Sequence, residues 1–268
     1  MLKLERLERI SDYVAENRYA TVKELSEMLD TSPATIRRDI GTLSKQQKVI
    51  VAHGGIAYNE AKVSAEATFR EKMQHNSEEK QRIAKAVCQF IEPGSTLIID
   101  SGSTTIGMVP YISEIEDLNV VTNDVKLAAS LADCVGGAVT MIGGSLRGGY
   151  HSTIGYYAEG MLSDMRADLC VIGTDAISME KGFMISNLDE VGTKRAMIKA
   201  ARKVIVICDH SKFKRESFVS FCDLDQADIV VTGEEVSSDI SKEFEKIGVK
   251  LIVAKQEQKE QEDKIKEA

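Results

Sequence analysis

Two arginines and a threonine near the start of one short helix could contact the phosphates and base edges of DNA. These residues are Thr35, Arg37 and Arg38, and they alternate with Ile36 and Ile40, whose spacing gives the helix an apolar face. With that face inward, the polar residues project outward near the positive helix N-terminus. The pattern predicts a DNA-recognition helix, and a merely solvated basic face is the alternative.

A preceding helix must hold this helix in place, and its start can be read at Thr21. Thr21 followed by Glu24 forms a capping box, which satisfies two backbone donors at a helix N-terminus. Ser32 can cap the next helix, and Pro33 suits a first helical position. Two helices joined by so short a turn predict a helix-turn-helix.

A further helix and a β-hairpin complete the predicted N-terminal domain of residues 1–58. Apolar residues with helical spacing between Leu4 and Val14 can cover the helix pair. A β-prone run at 49–52 is followed by a turn at 53–55 and a second short run. Three helices and a hairpin predict a winged helix. Its predicted DNA-contacting residues are Thr21, Ser32, Thr35, Arg37, Arg38 and His53.

A run of small polar residues in the rest of the chain could bind an anion. The run Asp-Ser-Gly-Ser-Thr-Thr at 100–105 follows an apolar strand pattern and precedes a helical one. Backbone N–H groups, hydroxyls and a helix N-terminus at such a turn suit a phosphate group. A turn without any ligand is the alternative.

Alternating strand and helix patterns must position this turn. The β-rich segments cover residues 96–100, 119–122, 138–142, 168–173, 203–208, 228–232 and 249–253. Near-continuous Val and Ile runs indicate strands buried on both faces. The alternation predicts an α/β layered domain with a largely parallel sheet over 77–254, after a linker over 59–76 and before a polar tail over 255–268.

Further polar residues follow the strands of the same predicted sheet, where ligands of such sheets bind. Two lysines, Lys194 and Lys212, are the basic candidates, although an isolated surface lysine is the commoner case. We expect one pocket from these residues and the turn at 100–105. The predicted ligand-binding residues are Asp100, Gly102, Ser103, Thr104, Thr105, Thr122, Asn123, Asp175, Lys194 and Lys212.

Length and charge distribution constrain the class of protein. The chain has 268 residues, more than one ordinary domain, and a net charge of −8. Residues 1–58 carry nine Lys and Arg against eight Asp and Glu, which leaves −9 for the remainder. So weak a positive charge predicts that DNA affinity depends on oriented arginines and duplicated half-sites.

The sequence predicts a cytoplasmic protein without metal or cofactor. It contains no long apolar segment, and its first residues lack the apolar stretch of a signal peptide. Five cysteines are scattered without a CxxC pair, which favours buried reduced thiols, and four histidines show no ligand spacing.

The sequence resembles the DeoR-type bacterial transcriptional regulators over nearly the whole chain. Its specific signature is the Thr-Ile-Arg-Arg-Asp run at 35–39, and similarity continues through the turn at 53–55, the run at 100–105 and residues 194–197 and 209–212. The chain has Gln47 and Val51 where the family usually has glycine and a basic residue, with Lys45 and Lys48 close by.

The resemblance implies a repressor of a carbohydrate-metabolism operon, whose second domain shares the fold of ribose-5-phosphate isomerases and holds a phosphorylated sugar at residues 102–105. The expected partners are double-stranded operator DNA, this sugar phosphate and further copies of the chain, as a dimer or tetramer. A sugar-phosphate isomerase is one alternative, because it needs a carboxylate base and a cation, and Asp175, Glu190 and Lys194 are suitable residue types. An oligomerisation scaffold is another. We expect a regulator without enzymatic activity, because DNA recognition fused to an effector domain explains both halves.

Overall fold

Two separate units make up the chain in the computed structural model, Met1–Ala65 and Glu66–Ala268. The structure describes residues 3–17, 19–45, 49–52, 54–58 and 68–256. His53, residues 59–67 of the predicted linker and the predicted tail from residue 257 onward lie outside the described residues.

The described residues of the first unit form three helices and a small antiparallel sheet. The helices are α1 (Lys3–Asn17), α2 (Val22–Met28) and α3 (Pro33–Lys45). The strands are β1 (Tyr19–Thr21), β2 (Val49–Ala52) and β3 (Gly55–Tyr58), paired in the order β1-β3-β2. The helices and the β2–β3 hairpin confirm the predicted winged helix, and β1 adds a strand that the sequence did not predict.

Local signals account for the start of α2 and α3. The Thr21 hydroxyl accepts a hydrogen bond from the Glu24 amide at 3.1 Å, and the Glu24 carboxylate accepts one from the Thr21 amide at 2.8 Å, which is the predicted capping box. Pro33 is the first residue of α3, as predicted. The helices and sheet bury one apolar core, which includes Ile10, Val14, Leu25, Leu29, Ile36, Ile40, Leu43 and Ile56.

A parallel sheet of seven strands forms the centre of the described part of the second unit. In chain order its strands are β4 (Thr96–Ile99), β5 (Asn119–Thr122), β6 (Val139–Met141), β9 (Ala167–Gly173), β12 (Ala201–Ile207), β14 (Ile229–Gly233) and β15 (Lys250–Ala254). Their spatial order is β15-β14-β12-β9-β4-β5-β6. Each strand lies within two residues of its predicted bounds, so the predicted α/β architecture is confirmed.

Helices on both faces bury this sheet. Ile98 and Val206 pack with α8 (Tyr156–Ser163), α9 (Val191–Ala200) and α10 (Ser238–Ile247). Their neighbours in the strands, Ile99 and Ile205, pack with α5 (Ser77–Cys88), α6 (Val109–Ile112) and α7 (Val125–Ala132). Because alternate residues of a strand point to opposite faces, strands covered twice are apolar throughout, which explains the continuous Val and Ile runs.

Short antiparallel strands supplement the main sheet. The pair β7 (Ser145–Leu146) and β8 (Thr153–Ile154) forms a hairpin, and β10 (Ala176–Ser178), β11 (Gly182–Ile185) and β13 (Val219–Cys222) form a separate sheet. Residues 69–74, predicted as part of the linker, form helix α4 (Phe69–Gln74) within the second unit.

The strand order of the main sheet reverses between β4 and β9. From β4 the chain adds β5 and β6 on one side, whereas from β9 it adds β12, β14 and β15 on the other. The segments that follow β4 and β9 therefore diverge and leave a crevice at the carboxyl ends of these strands, which is the usual ligand position in such sheets.

The apolar length of the helices and the burial of the cysteines can be compared with the sequence predictions. Among the described residues, no helix has both the length and the apolar composition needed to cross a lipid bilayer. All five cysteines are unpaired; Cys170, Cys208 and Cys222 are buried, whereas Cys134 is exposed. The prediction of buried reduced thiols thus holds for three of the five and is wrong for Cys134.

Candidate functional site

The predicted recognition helix α3 presents a polar outer face. Arg37 and Arg38 are exposed and Thr35 is half-buried, whereas Ile36 and Ile40 between them are buried. At the N-terminus of this helix, Ser32 Oγ accepts a hydrogen bond from the Thr35 amide at 3.3 Å. The Ser32 and Thr35 hydroxyls lie 3.0 Å apart and share a hydrogen bond. Exposed basic side chains near a helix N-terminus are what a groove-reading helix needs.

The other two predicted DNA contacts have different surroundings. The Thr21 hydroxyl lies 2.8 Å from the Glu24 carboxylate and is engaged in the capping box at the start of α2. Its DNA contact stays a prediction, as does that of His53, which lies outside the described residues.

A buried ion pair that the sequence did not reveal holds α1 against α3. Arg6 Nε donates to Asp39 Oδ2 at 2.6 Å, and Asp39 is almost completely buried. Asp39 is the last residue of the Thr-Ile-Arg-Arg-Asp run. The run therefore combines two outward arginines with an inward carboxylate that fixes the orientation of the helix.

In the second unit, a polar pocket lies at the carboxyl ends of β4, β9 and β12. Its wall contains most of the residues that the sequence predicted to bind a ligand, although strand ends far apart in the chain contribute them. These wall residues are Gly102, Ser103, Thr104, Thr105, Asp175, Lys194 and Lys212.

Three predicted residues support the wall from behind instead of lining the pocket. Asn123 Oδ1 accepts a hydrogen bond from the Ser101 amide at 2.9 Å, and Thr122 Oγ1 accepts one from the Asp124 amide at 3.0 Å. Asp100 binds Lys194. All three are buried, so they position the turn at 100–105.

The turn at 100–105 has a specific shape. The Ile106 amide donates to the Gly102 carbonyl at 3.1 Å, and Thr105 Oγ1 donates to the same carbonyl at 3.0 Å. A Cβ atom on Gly102 would lie 3.1 Å from Thr105 Oγ1, so glycine leaves this approach open. The first amides of a helical segment lack acceptors within the helix, and beside the hydroxyls of Ser103 and Thr104 they supply donors for an anion.

Lys194 is a buried cation at the base of the pocket. Its Nζ donates to Asp100 Oδ2 at 2.5 Å and to the Gly173 carbonyl at 2.9 Å, and both side chains of the ion pair are more than nine-tenths buried. Burial lowers the pKa of Lys194, but attraction to Asp100 and Glu190 raises this pKa overall. The amine therefore stays charged and joins α9 to the ends of β4 and β9.

Two cations and a tyrosine complete the pocket, and none of them was predicted. Lys72 Nζ donates to Asp175 Oδ1 at 2.7 Å, and an Arg147 guanidinium nitrogen donates to Glu190 Oε1 at 2.9 Å. The Tyr150 ring centre lies 3.7 Å from Arg147 Cζ and 5.6 Å from Lys72 Nζ. Lys72 comes from α4 and the other two from the β7–β8 hairpin, so no strand-end pattern marks them.

Asp175 is an ionised carboxylate between two groups of donors. Burial raises its pKa, but the Lys72 ammonium and hydrogen bonds from Ser186 outweigh that effect and bring the pKa to about 2. The Ser186 amide and hydroxyl donate to Asp175 Oδ2 at 3.0 and 2.9 Å.

A tight turn after β12 carries the fourth pocket cation, Lys212. Asp209 lies at the centre of this turn. Its Oδ1 accepts hydrogen bonds from Asn76 Nδ2 at 2.9 Å and from the Ser211 amide at 3.1 Å. Lys212 Nζ and Lys80 Nζ lie 3.9 and 3.8 Å from Asp209 Oδ2. Although burial raises the pKa of Asp209, Lys212 and Ser211 lower it overall. Burial also lowers the pKa of Lys80 to about 8.

The pocket therefore combines hydroxyls, helix-start amides and four cations, a set of groups suited to a negatively charged ligand. The two carboxylates that an isomerase would use as acid or base, Asp175 and Glu190, each accept a hydrogen bond from a cation.

Family models match both units. A model of the DeoR-like helix-turn-helix domain matches residues 6–62, and a model of the DeoR C terminal sensor domain matches residues 75–234. Among solved structures, ribose 5 phosphate isomerase A from Neisseria gonorrhoeae is similar to this chain with a TM-score of 0.38 and 16% sequence identity. The similarity covers 51% of this chain and 53% of the isomerase chain. A similarity of that size carries no argument about function.

Curated relatives match almost the whole chain. The HTH-type transcriptional regulator GlpR of Haloferax volcanii is 32% identical over 252 residues, 94% of this chain and 98% of the relative. The glycerol-3-phosphate regulon repressor of Escherichia coli K12 is 33% identical over 232 residues, 87% of this chain and 91% of the relative. The chain thus belongs to the DeoR family of helix-turn-helix transcriptional regulators.

Proposed function

We propose that this protein represses a carbohydrate-metabolism operon and that a phosphorylated sugar, bound in the second unit, controls its affinity for operator DNA. The observation that carries the proposal is the cationic pocket beside the turn at 102–105, in a chain whose other unit is a helix-turn-helix. The name of one relative, a glycerol-3-phosphate regulon repressor, contains a phosphorylated polyol and so supports a small organic phosphate as the ligand.

The phosphate group of the effector binds at the turn at 102–105, where amides and hydroxyls converge. Lys212, about one-quarter exposed and 3.9 Å from its carboxylate partner, is a cation able to approach that phosphate. The sugar hydroxyls then face the carboxyl groups of Asp175 and Glu190, whose oxygens accept hydrogen bonds.

Two or more copies of the chain act together on operator DNA in the cytoplasm. The first unit carries a net charge of only about +1 over residues 1–58, so one winged helix gives little electrostatic affinity. A homo-oligomer, dimer or tetramer, places recognition helices in successive major grooves and multiplies that affinity. The effector binds the state with low DNA affinity more tightly, and a coupling of roughly 1 to 3 kcal/mol corresponds to a 5- to 150-fold change.

The experiment is a titration of fluorescent DNA from upstream of the protein's own gene, followed by anisotropy, with glycerol 3-phosphate, fructose 6-phosphate, glucose 6-phosphate and ribose 5-phosphate as ligands. A double Arg37→Ala, Arg38→Ala variant removes the outer face of α3, and Lys23→Ala, an exposed change on α2, is the matched control. We expect binding by wild type and the control, release by one ligand, and no turnover of that ligand. Turnover without sequence-specific binding would favour an isomerase.

A further inference from the structure

We propose that Lys72 transmits effector binding towards the DNA-binding unit: the anionic effector takes the Lys72 ammonium from Asp175 and thereby shifts helix α4. The inference rests on the proposed function, because it requires a phosphorylated ligand in the pocket. It adds a ligand-contacting cation and a route by which the bound ligand acts on the rest of the chain.

Helix α4 contributes to the pocket wall and is the first described helix of the second unit. Phe69 and Lys72 both line the pocket. Phe69 is buried, with its ring centre 5.2 Å from the His151 ring in an edge contact and 5.3 Å from Lys126 Nζ. In the sequence, α4 begins eleven positions after Tyr58, the last residue of β3. A change in the pocket can therefore reach the connecting segment through one short helix.

Lys72 can exchange its partner without leaving a bare buried charge. Its side chain is about one-fifth exposed, and Asp175 keeps two hydrogen bonds from Ser186 after the ammonium departs. Lys194 differs, because its departure would leave Asp100 buried without a cation. Among the pocket cations in the described residues, Lys72 thus has a partner, Asp175, that a ligand can replace. Lys72 also lies on α4, the described helix that follows the connecting segment in the sequence.

A phosphorylated ligand competes effectively for this ammonium. A phosphate monoester carries between one and two negative charges near neutral pH, against one on Asp175. The Tyr150 ring centre 5.6 Å from Lys72 Nζ gives the ammonium a second favourable surface during the exchange. A phosphorylated ligand therefore breaks the ion pair between Lys72 and Asp175 when it binds.

The surroundings of α4 direct the resulting movement to this helix. Helix α5 is anchored to the turn after β12, because both carboxylate oxygens of Glu79 contact His210, at 2.7 Å each, and Asn76 binds Asp209. Between α4 and α5, Lys80 Nζ donates a hydrogen bond to the Lys72 carbonyl. When the Lys72 side chain changes partner, α4 moves and α5 stays with the sheet.

Three variants test the inference in the full chain. Lys72→Met removes the charge and keeps a long, helix-compatible side chain, Lys72→Arg retains the charge, and Lys242→Met changes an exposed lysine of α10 outside the pocket. Calorimetry measures binding of the four phosphorylated ligands named above. Anisotropy with the upstream DNA measures release, and hydrogen exchange measures the protection of amides 69–76 with and without ligand.

Because Lys72→Met breaks the ion pair permanently, we expect this variant to bind DNA more weakly than wild type without ligand and to show at least a fivefold smaller ligand-induced loss of DNA affinity. Lys72→Arg and Lys242→Met should respond like wild type. In wild type the ligand should change the exchange of amides 69–76, a readout that needs no variant and covers the case in which Lys72→Met does not fold.

The outcomes separate this inference from the function on which it rests. If wild type binds and responds to a sugar phosphate while Lys72→Met responds as fully as Lys242→Met, the role of Lys72 is refuted and the proposed function stands. Unchanged exchange of amides 69–76 in the ligand-bound wild type refutes it equally. If wild type binds none of the sugar phosphates, both proposals fail.

Discussion

Replacing Lys194 by methionine tests the ion pair at the base of the pocket. In the native chain, Lys194 Nζ lies 2.5 Å from Asp100 Oδ2, and both side chains are almost completely withdrawn from water. The variant leaves Asp100 with one donor nearby, the Gly173 amide at 3.1 Å. The variant therefore leaves the Asp100 carboxyl group buried without its cation.

The expected cost follows from this geometry. Removing one partner of a buried ion pair typically costs roughly 3 to 5 kcal/mol of unfolding free energy. Because the Gly173 amide still donates a hydrogen bond to Asp100, we expect Lys194→Met to lose about 3 kcal/mol of unfolding free energy, the low end of that range. Combining Lys194→Met with Asp100→Asn removes the stranded charge, so the double variant should be more stable than the sum of the single changes predicts, by about 2 kcal/mol.

Urea unfolding followed by far-ultraviolet circular dichroism measures these differences, since the chain has no tryptophan to report them by fluorescence. Lys199→Met, an exposed change on the same helix, is the matched control and should cost under about 0.5 kcal/mol. A loss below about 1 kcal/mol for Lys194→Met, or strict additivity in the double variant, would refute the reasoning.

Three further predictions concern the DNA face, the anion-binding turn and the pocket carboxylate. Replacing Arg37 and Arg38 by alanine should weaken binding to the upstream DNA roughly 100-fold or more in anisotropy titrations; undiminished affinity would disqualify α3 as the recognition helix. Replacing Thr104 and Thr105 by alanine should raise the sugar-phosphate concentration needed for DNA release about 30-fold, because two lost hydrogen bonds at roughly 1 kcal/mol each amount to about 2 kcal/mol; an unaltered response would remove this turn from the effector site. Burial raises the pKa of Asp175, but its hydrogen-bond partners lower it to about 2, so its stabilising effect is present above the unfolded pKa of about 3.9 and is lost as pH falls towards 2. Asp175→Asn should therefore be less stable than wild type at pH 7, by up to about 2 kcal/mol, and the gap in urea midpoints should close between pH 4 and pH 2; a gap independent of pH would contradict the pKa assignment.

Features encoded by short-range patterns were predictable from the sequence. The seven strands of the main sheet are near-continuous apolar runs, and the start of α2 follows from the capping box at Thr21 and Glu24. The turn at 100–105 could be placed at the ligand edge of the sheet, because a strand and a helical pattern flank it.

Features that depend on contacts between distant segments were not predictable. Lys72 and Asp175 are 103 positions apart, and Lys72 lies in a stretch whose polar composition is typical of a linker. Arg147 belongs to a two-residue-strand hairpin too short to show a periodic pattern. Asp39 was hidden for a different reason: a charged residue beside two exposed arginines gives no sign that it points inward towards Arg6.

The most direct test of the account is the affinity of the full chain for DNA from upstream of its own gene, measured with and without each sugar phosphate while turnover is followed in the same samples. We predict sequence-specific binding that one sugar phosphate weakens between 5- and 150-fold without being consumed. Binding that no sugar phosphate alters, or consumption of the ligand without sequence-specific binding, would contradict the account.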